Sequence, residues 1–260
     1  MLDIIGFERY LTGRKAGLTV VAYLETVRRL DRYLQERELM KSLADEFIYY
    51  LQETGCASKS LNRHVAAIRA YTGYTGQDIK MPGFRTQRKL PKWLSEIEQN
   101  KIIAACVTPL ECAVIVTLLK SGIRRAELLS MKDDDIDTDV DAEGRGFLKV
   151  MGKGSKERRV SVPAPVLDVL SEWIKHRPVK SERLFPFHVS TVNRVVKEVA
   201  NRAGVKAHPH CLRHSYASQF IANGGLLVDL QHQLGHTSLA TTGIYTHVRP
   251  EDIRKRLPIV

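Results

Sequence analysis

The sequence predicts two domains: an all-α domain over residues 1–80, and a mixed α+β, mainly helical domain with a small β-hairpin over residues 93–260. Three observations predict this division. Apolar residues recur at helical spacing through the first 80 residues. Residues 81–92 contain Pro82, Gly83, Pro91 and several basic residues but no acidic one, which is typical of a basic linker. Beyond the linker, one alternating stretch lies between several helical ones.

Three helices are predicted before the linker. Thr19 is expected to cap the first, whose apolar residues keep helical spacing over residues 20–34. The second is a short helix that ends before Gly55, and the third covers residues 58–71. Basic side chains lie on the face of the third helix opposite its apolar residues, and they indicate either solvated charge or contact with a polyanion: Lys59, Arg63, His64 and Arg69.

The second domain is expected to place helices around one hairpin. Ser95 and Glu98 form a capping box, and Thr108 before Pro109 marks the start of the next helix. Residues 133–143 carry seven acidic side chains and are predicted to form a solvated loop before a strand. The alternation in residues 146–163 predicts the hairpin. Further helices are expected at residues 125–131, 166–174, 190–203, 210–222 and 226–234.

Composition indicates the class of partner. Lys and Arg number 40 against 29 Asp and Glu, which gives a formal charge of +11 and a pI of about 9.5. This balance suggests nucleic acid first and an anionic membrane surface second. The sequence contains no apolar run of about 18 residues and no secretory signal pattern. The four cysteines are too widely spaced for a disulfide scaffold or a zinc ribbon, so a reducing, cytoplasmic location is expected.

Several polar side chains stand where a hydrophobic core does not need them. Two guanidinium groups can bind both non-bridging oxygens of a phosphate. A tyrosine hydroxyl, with a reference pKa near 10, becomes a nucleophile when a base or nearby cations assist it. Taken singly, each residue fits an ordinary surface, cap or core role, but together they suit phosphoryl transfer through a covalent intermediate. The candidates are Arg124, Lys153, His210, Arg213, His236 and Tyr245.

A metal site is the alternative use of the histidines. His208, His210 and His214 have a spacing that metal ligands use, and Cys211 lies among them. A two-metal nuclease needs carboxylates near its ions, yet Asp229 is the only acidic residue between positions 199 and 250. No metal ligand is therefore predicted, and the metal site stays the weaker alternative.

Four segments resemble, in this order, the motifs of the tyrosine recombinases, or phage-type integrases, with the Xer type the most similar. They are SGIRRAELLSM, GKGSKERRVSVP, HPHCLRHSYAS and LGHTSLATTGIYTH. The resemblance covers about residues 95–250, and the N-terminal part matches more loosely. It implies a SAM-like core-binding domain over residues 1–80 and a catalytic domain with the DNA breaking-rejoining enzyme fold over residues 93–260.

The resemblance also implies roles for the candidate residues. Arg124 and Arg213 would bind the scissile phosphate, and His236 would donate a hydrogen bond to a non-bridging oxygen. Glu127 matches a recurrent acidic position, for which we expect a structural role.

The remaining candidates would move protons and form the covalent link. Tyr245 would attack phosphorus to give a 3′-phosphotyrosyl link, with proton transfer assisted by His210. Lys153 would protonate the leaving 5′ oxygen. The link keeps the bond energy, so no cofactor, metal or ATP is implied.

The implied function is site-specific DNA recombination, for integration, excision or dimer resolution. The implied partners are duplex DNA with a specific site and a homotetramer on two such sites, with a monomer or dimer in free solution and no membrane. An accessory protein stays open, as do two alternative functions: a type IB topoisomerase and a non-catalytic DNA-binding protein. The predicted DNA contacts are Lys59, Arg63, Arg69, Arg85, Arg88, Lys89, Lys156, Arg158, Arg159 and Arg194.

Overall fold

The computed structural model describes residues 1–86, 92–152, 156–236 and 242–243. The chain divides into two compact units, Met1–Lys89 and Leu90–Val260. Each unit contains its own cluster of buried apolar side chains. Within the described residues, no helix combines the length and the apolar character needed to cross a membrane.

The N-terminal unit is helical throughout its regular structure. Its first helix was not predicted; Asp3 caps it by accepting a hydrogen bond from the Gly6 N–H at 2.8 Å. Thr19 is not a cap, because the second helix already begins at Gly17 without any side-chain cap. The helices are α1 (Ile4–Leu11), α2 (Gly17–Leu34), α3 (Lys41–Glu53) and α4 (Ser58–Thr75).

One residue of the expected basic face of α4 is buried. The His64 side chain packs against α2, where its Nδ1 lies 2.9 Å from the hydroxyl of Thr26. That hydroxyl donates its only proton to the carbonyl of Ala22, so Nδ1 of His64 is the donor in the pair. Burial, followed by the charges of Arg63 and Arg29, lowers the pKa of His64. His64 is thus a neutral core residue and not part of a solvated face.

The C-terminal unit contains helices around a small sheet. Both predicted helix starts are confirmed: Ser95 and Glu98 form a capping box, and Thr108 accepts a hydrogen bond from the Glu111 N–H at 3.2 Å. The helix Pro109–Ser121 is apolar on nearly all sides, and most of its side chains are buried. The helices are α5 (Glu96–Ala104), α6 (Pro109–Ser121), α7 (Arg125–Ser130), α8 (Ala164–His176), α9 (Val189–Arg202), α10 (Pro209–Ala222) and α11 (Leu227–Leu234).

The sheet has three antiparallel strands in the order β1 (Ile136–Asp137), β2 (Arg145–Met151) and β3 (Glu157–Pro163). The predicted hairpin is β2–β3, in register from Arg145↔Pro163 to Met151↔Glu157. The prediction of a solvated acidic loop is wrong for β1, because Ile136 packs against the core and pairs with β2. A short 3₁₀ helix precedes β1 at Asp133–Asp135.

Candidate active site

The turn between α6 and α7 places the first candidate residue. Gly122 ends α6 with φ of +67°, and a Cβ atom there would lie 2.4 Å from the ring of Tyr216. A side chain would be strained by this backbone conformation and would clash with the ring. Arg124 then stands at the N-cap position of α7, and the Gly122 carbonyl accepts a hydrogen bond from Arg213 at 2.6 Å. The tight turn therefore brings the two predicted phosphate-binding arginines to the same place.

A single buried carboxylate, that of Glu127, binds three guanidinium groups. It accepts hydrogen bonds from the backbone N–H of Arg124 at 2.7 Å and from Nη1 of Arg124 at 2.8 Å. Arg158 donates to both its oxygens, at 3.0 and 2.9 Å, and Nη1 of Arg213 lies 3.9 Å away. Burial acts to raise the pKa of Glu127, but hydrogen bonds from Arg158 and Arg124 outweigh it and lower the pKa below its ordinary value. Glu127 is therefore ionised at neutral pH.

Arg213 lies on α10 and is buried. Its Nη2 donates to the carbonyl of Leu234 at 2.8 Å, while Nη2 of Arg124 lies 3.5 Å from the carbonyl of Gly235. These carbonyls are at the C-terminal end of α11, where the helix dipole favours cations. Both guanidinium groups are thus oriented by the protein alone, and the Arg124 side chain keeps 35% of its surface exposed to solvent.

His236 follows α11 and contacts the same cluster. Nη2 of Arg213 lies 3.0 Å from its Nε2, and because arginine can only donate, Nε2 carries no proton. Its Nδ1 lies 3.0 Å from the hydroxyl of Thr242 and is therefore the protonated nitrogen. Burial, followed by the charges of Arg213 and Arg124, lowers the pKa of His236 to about 4. The imidazole is neutral at pH 7.

The other histidines lie on the first turns of α10. Burial, then the charge of Arg125 and then that of His208, lowers the pKa of His210. His208 caps the helix, because its Nδ1 accepts a hydrogen bond from the Cys211 N–H at 3.1 Å. Among the described residues, no three His, Cys, Asp or Glu side chains come together as metal ligands would. The charges of Arg125 and Arg213 therefore reach His210, which lies on the same helix as Arg213, whereas His208 is the N-cap of that helix.

Four predicted residues lie outside the described part of the chain. Two of them, Lys153 and Tyr245, are candidate catalytic residues, and Arg88 and Lys89 are candidate DNA contacts. The residues on either side of Lys153 that the structure describes are close together, because the Gly152 N–H donates to the carbonyl of Lys156 at 2.8 Å. The catalytic roles of all six candidates stay predictions.

Comparison with known sequences places the chain in a family. The Phage integrase family profile matches residues 92–252, and the profile of the phage integrase N-terminal SAM-like domain matches residues 4–76. The chain belongs to the phage integrase family. The predicted resemblance is thereby confirmed, as is the two-domain, mainly helical fold with a small sheet. The family is a class of DNA strand-transferring enzymes.

Individual family members agree with this assignment. Tyrosine recombinase XerA of Thermococcus kodakarensis is 34% identical over 269 residues, which cover 96% of this chain and 92% of the relative. The crystal structure of XerH site-specific recombinase bound to difH substrate has a TM-score of 0.74 at 22% identity, covering 92% of this chain and 78% of that one. A lambda integrase tetramer bound to a Holliday junction has a TM-score of 0.66 at 17% identity, covering 92% and 74%. The two structures share the integrase fold with this chain.

In this integrase-family chain, the predicted DNA contacts of the N-terminal unit lie on or beside α4. Lys59 and Arg63 are exposed, and Arg69 is exposed but donates to the carbonyl of Met81. The Asn62 amide pairs with both backbone groups of Phe84, at 2.9 and 2.7 Å, which brings the backbone before Arg85 against α4. Their contact with DNA stays a prediction.

One further cation of the N-terminal unit, which was not predicted as a DNA contact, lies near α4. Arg29 of α2 lies close enough to His64 for its charge to lower that residue's pKa together with Arg63 of α4. The two arginines are 34 positions apart in the sequence and belong to different helices, so only the packing of α2 on α4 brings them together. The Arg28-Arg29 pair within an amphipathic helix was the available signal.

The predicted DNA contacts of the integrase's C-terminal unit have different surroundings. Lys156 is exposed beside the hairpin turn. Arg159 is paired with Asp137 at 2.6 Å, and Arg194 with Glu198 at 3.2 Å, both at the surface. Arg158 differs from its prediction, because its side chain is 9% exposed and points inward to Glu127.

Proposed function

We propose that this chain is a site-specific DNA recombinase that cleaves and rejoins strands through a 3′-phosphotyrosyl link to Tyr245, without metal or ATP. One observation carries the proposal: the guanidinium groups of Arg124 and Arg213 are fixed by the shared carboxylate of Glu127 and by α11 carbonyls. Such a site is oriented for phosphate before any substrate is bound, which is what electrostatic stabilisation of a transition state requires.

The charge of the cluster suits a phosphate under attack. Arg124, Arg158 and Arg213 bring three positive charges and Glu127 one negative charge, which leaves a net charge of two positive units. A pentacoordinate phosphorane gains negative charge on its non-bridging oxygens as it forms. Cations in a partly buried site stabilise that charge far better than cations in water do.

The cleavage step assigns one proton transfer to each remaining candidate. The Tyr245 oxygen forms a bond to phosphorus while the bond from phosphorus to the 5′ oxygen breaks. The tyrosine proton goes to His210, which is able to accept it because its lowered pKa keeps it neutral at pH 7. Lys153 gives a proton to the leaving 5′ oxygen. Attack by the 5′ hydroxyl of another strand reverses these transfers and completes the exchange.

His236 is proposed to hold a non-bridging oxygen, which needs a proton on its Nε2. That nitrogen is unprotonated beside Arg213 without DNA. Burial first, and then the charges of Arg213 and Arg124, lowers the pKa of His236; a phosphate anion placed between the guanidinium groups offsets the second cause, which favours proton uptake at Nε2. The protonated ring then donates from Nε2 to phosphate and from Nδ1 to Thr242.

The proposed partners follow from the structures that share this fold. XerH is bound to its difH substrate, and lambda integrase forms a tetramer on a Holliday junction. For this chain we propose a specific duplex site and a homotetramer on two sites, acting in integration, excision or dimer resolution. The exposed basic side chains of α4 are suited to contact phosphates.

The test is a search for a covalent protein–DNA adduct. Nicked duplexes drawn from the DNA that flanks the gene are incubated with the protein in EDTA and separated on a denaturing gel. The wild-type chain and Tyr49→Phe, a matched change at an exposed tyrosine of the other unit, should form the adduct, and Tyr245→Phe should not. Magnesium-dependent cleavage by Tyr245→Phe would refute the proposal. Relaxation of plasmids without sequence preference would indicate a type IB topoisomerase instead.

A further inference from the structure

Arg158 is a largely buried cation on a hairpin that is expected to approach DNA. All three of its guanidinium nitrogens donate inside the protein. Nη1 and Nη2 bind the two oxygens of Glu127 at 3.0 and 2.9 Å, and Nε binds the carbonyl of Gln233 at 3.1 Å. This planar, two-pronged contact is one that lysine cannot make. Arg158 therefore joins β3 to α7 and to the end of α11.

The backbone of Gly235 leaves room for this contact. A Cβ atom at that position would lie 2.8 to 3.0 Å from the Nη1, Cζ and Nε atoms of Arg158. Gly235 also has φ of +63°, a conformation that side chains rarely adopt. The guanidinium thus packs directly on the peptide that precedes His236. Arg158 therefore contacts both its own hairpin and the chain that leads into His236.

A second contact joins β3 to the end of α11. The amide of Gln233 pairs with the backbone of Ser161, donating to its carbonyl at 2.8 Å and accepting from its N–H at 3.0 Å. It occupies hydrogen-bonding groups that another strand would otherwise use. The α11 end therefore contacts β3 at two points, of which Arg158 is the one nearer to the hairpin turn.

We propose that Arg158 is a positioning residue that fixes the β2–β3 hairpin against the Glu127 cluster, and so sets where Lys153 stands relative to the phosphate. Arg158 is paired with Val150, one step from the final pair Met151↔Glu157, and Lys153 follows that pair after Gly152. β1 pairs with β2 only at Phe147 and Leu148, so the end of the hairpin near Arg158 has two strands and needs outside contacts to hold a defined position. This inference rests on the proposed function, because it assumes that Lys153 donates the proton that the leaving 5′ oxygen receives.

The test uses a substrate that makes this proton unnecessary. In a 5′-bridging phosphorothiolate, sulfur replaces the leaving oxygen, and a thiolate departs without protonation because thiols are much stronger acids than alcohols. Arg158→Lys should slow adduct formation on ordinary DNA by about 10²-fold, the usual effect of misplacing a catalytic group. Most of the loss should disappear on the phosphorothiolate, as it should for Lys153→Ala but not for Arg124→Ala.

The matched control is Arg145→Lys, at the opposite end of the same hairpin. Arg145 is also bound to two carboxylates, those of Asp141 and Glu143, but it is exposed. This variant should cleave both substrates at the wild-type rate. Equal slowing of Arg158→Lys on both substrates would overturn the positioning role, because Arg158 would then act on the phosphate through Glu127.

A second measurement needs no DNA. Hydrogen exchange of the full-length chain should be faster in Arg158→Lys than in wild type for peptides covering β2–β3, and unchanged in Arg145→Lys. Gln233→Met, which leaves Arg158 intact, should give a smaller increase. Unchanged exchange in Arg158→Lys would refute the anchor even if the wild-type chain formed no adduct, whereas a missing wild-type adduct with faster exchange would count against the proposed function alone.

Discussion

Both units are basic, but the exposed arginines of α4 and the arginines around Glu127 have opposite surroundings. In the N-terminal unit, Arg63 is exposed on α4 beside the apolar core. In the C-terminal unit, Arg158 and Arg213 are turned inward and share the carboxylate of Glu127. A solvated cation attracts DNA whatever its orientation, whereas a buried one acts through its fixed geometry. The difference teaches that net charge alone does not separate a DNA-positioning surface from a reaction site.

The largest effect is expected where the inward-turned arginines lose their counter-charge. Glu127→Gln leaves the guanidinium groups of Arg158 and Arg213 in a buried site without a carboxylate. Removing one member of a buried ionic network costs about 3–5 kcal/mol of the free energy of unfolding. Tryptophan fluorescence during urea unfolding measures this loss, because both tryptophans, Trp93 and Trp173, lie in the C-terminal unit.

Glu143→Gln is the matched control for this loss. Glu143 also pairs with an arginine, Arg145, but at the surface, where such pairs contribute at most about 1 kcal/mol. If the two variants shifted the unfolding midpoint equally, the buried cluster would have no special role in the C-terminal unit.

The next effect concerns the turn that brings Arg124 to Arg213. Gly122→Ala adds the cost of a left-handed backbone for a non-glycine residue, about 1–2 kcal/mol, and a clash with Tyr216 worth about 1–3 kcal/mol. Gly204→Ala is the control, because Gly204 has a similar φ of +65° but open space around its Cα. Gly204→Ala should show the backbone cost alone. Equal losses of stability in the two variants would mean that the Tyr216 contact is unimportant.

The sequence predicted the C-terminal unit better than the contacts inside its site. Capping signals such as Ser95 with Glu98 are local, so they located helices correctly. Two of the three arginine partners of Glu127 come from β3 and α10, 31 and 86 positions away, and no local pattern encodes these two contacts. For the same reason, Arg158 was predicted as a DNA contact and its inward contact with Glu127 was not foreseen.

In the N-terminal unit, periodicity also failed at particular positions. His64 was grouped with basic neighbours on α4, since residue type alone cannot show that a histidine is neutral and bonded to Thr26. Helix α1 is short, and its stability depends on tertiary contacts: the hydroxyl of Tyr74 donates to Asp3 at 2.6 Å. Neither the burial of His64 nor helix α1 was predicted, because each depends on a side chain from a distant part of the chain.

Lowering the pH should reduce the stability of the C-terminal unit by less than Gly122→Ala does. His214 and His236 have pKa values lowered to about 4, by burial first and then by neighbouring positive charge, against an ordinary value of 6.5. The unfolded chain therefore binds protons first as pH falls, so stability is complete above about pH 6.5 and declines toward pH 4. Allowing for partial exposure, each histidine should remove on the order of 1 kcal/mol at pH 5.

The measurement compares urea midpoints by tryptophan fluorescence at pH 7 and pH 5. His236→Gln should flatten the difference in the C-terminal unit. His64→Gln should leave that signal unchanged, because His64 belongs to the other unit and its lowered pKa affects the stability of that unit. A midpoint that did not fall between pH 7 and pH 5 would contradict the neutral state of these histidines.

The smallest effect on stability is expected for Arg63→Ala, which should leave the unfolding midpoint unchanged and weaken binding to a short duplex. Each lost phosphate contact should reduce the slope of log affinity against log salt by about 0.9. Arg29→Ala, at a half-buried arginine of α2, should act in the same way and add to Arg63→Ala, because cations that do not contact each other contribute independently. Arg9→Ala, at an exposed position of α1, should change neither quantity. Fluorescence anisotropy over a salt series measures all of these variants. Strong non-additivity between Arg29 and Arg63 would show that the N-terminal cations form a coupled cluster after all, as Arg158 and Arg213 do around Glu127.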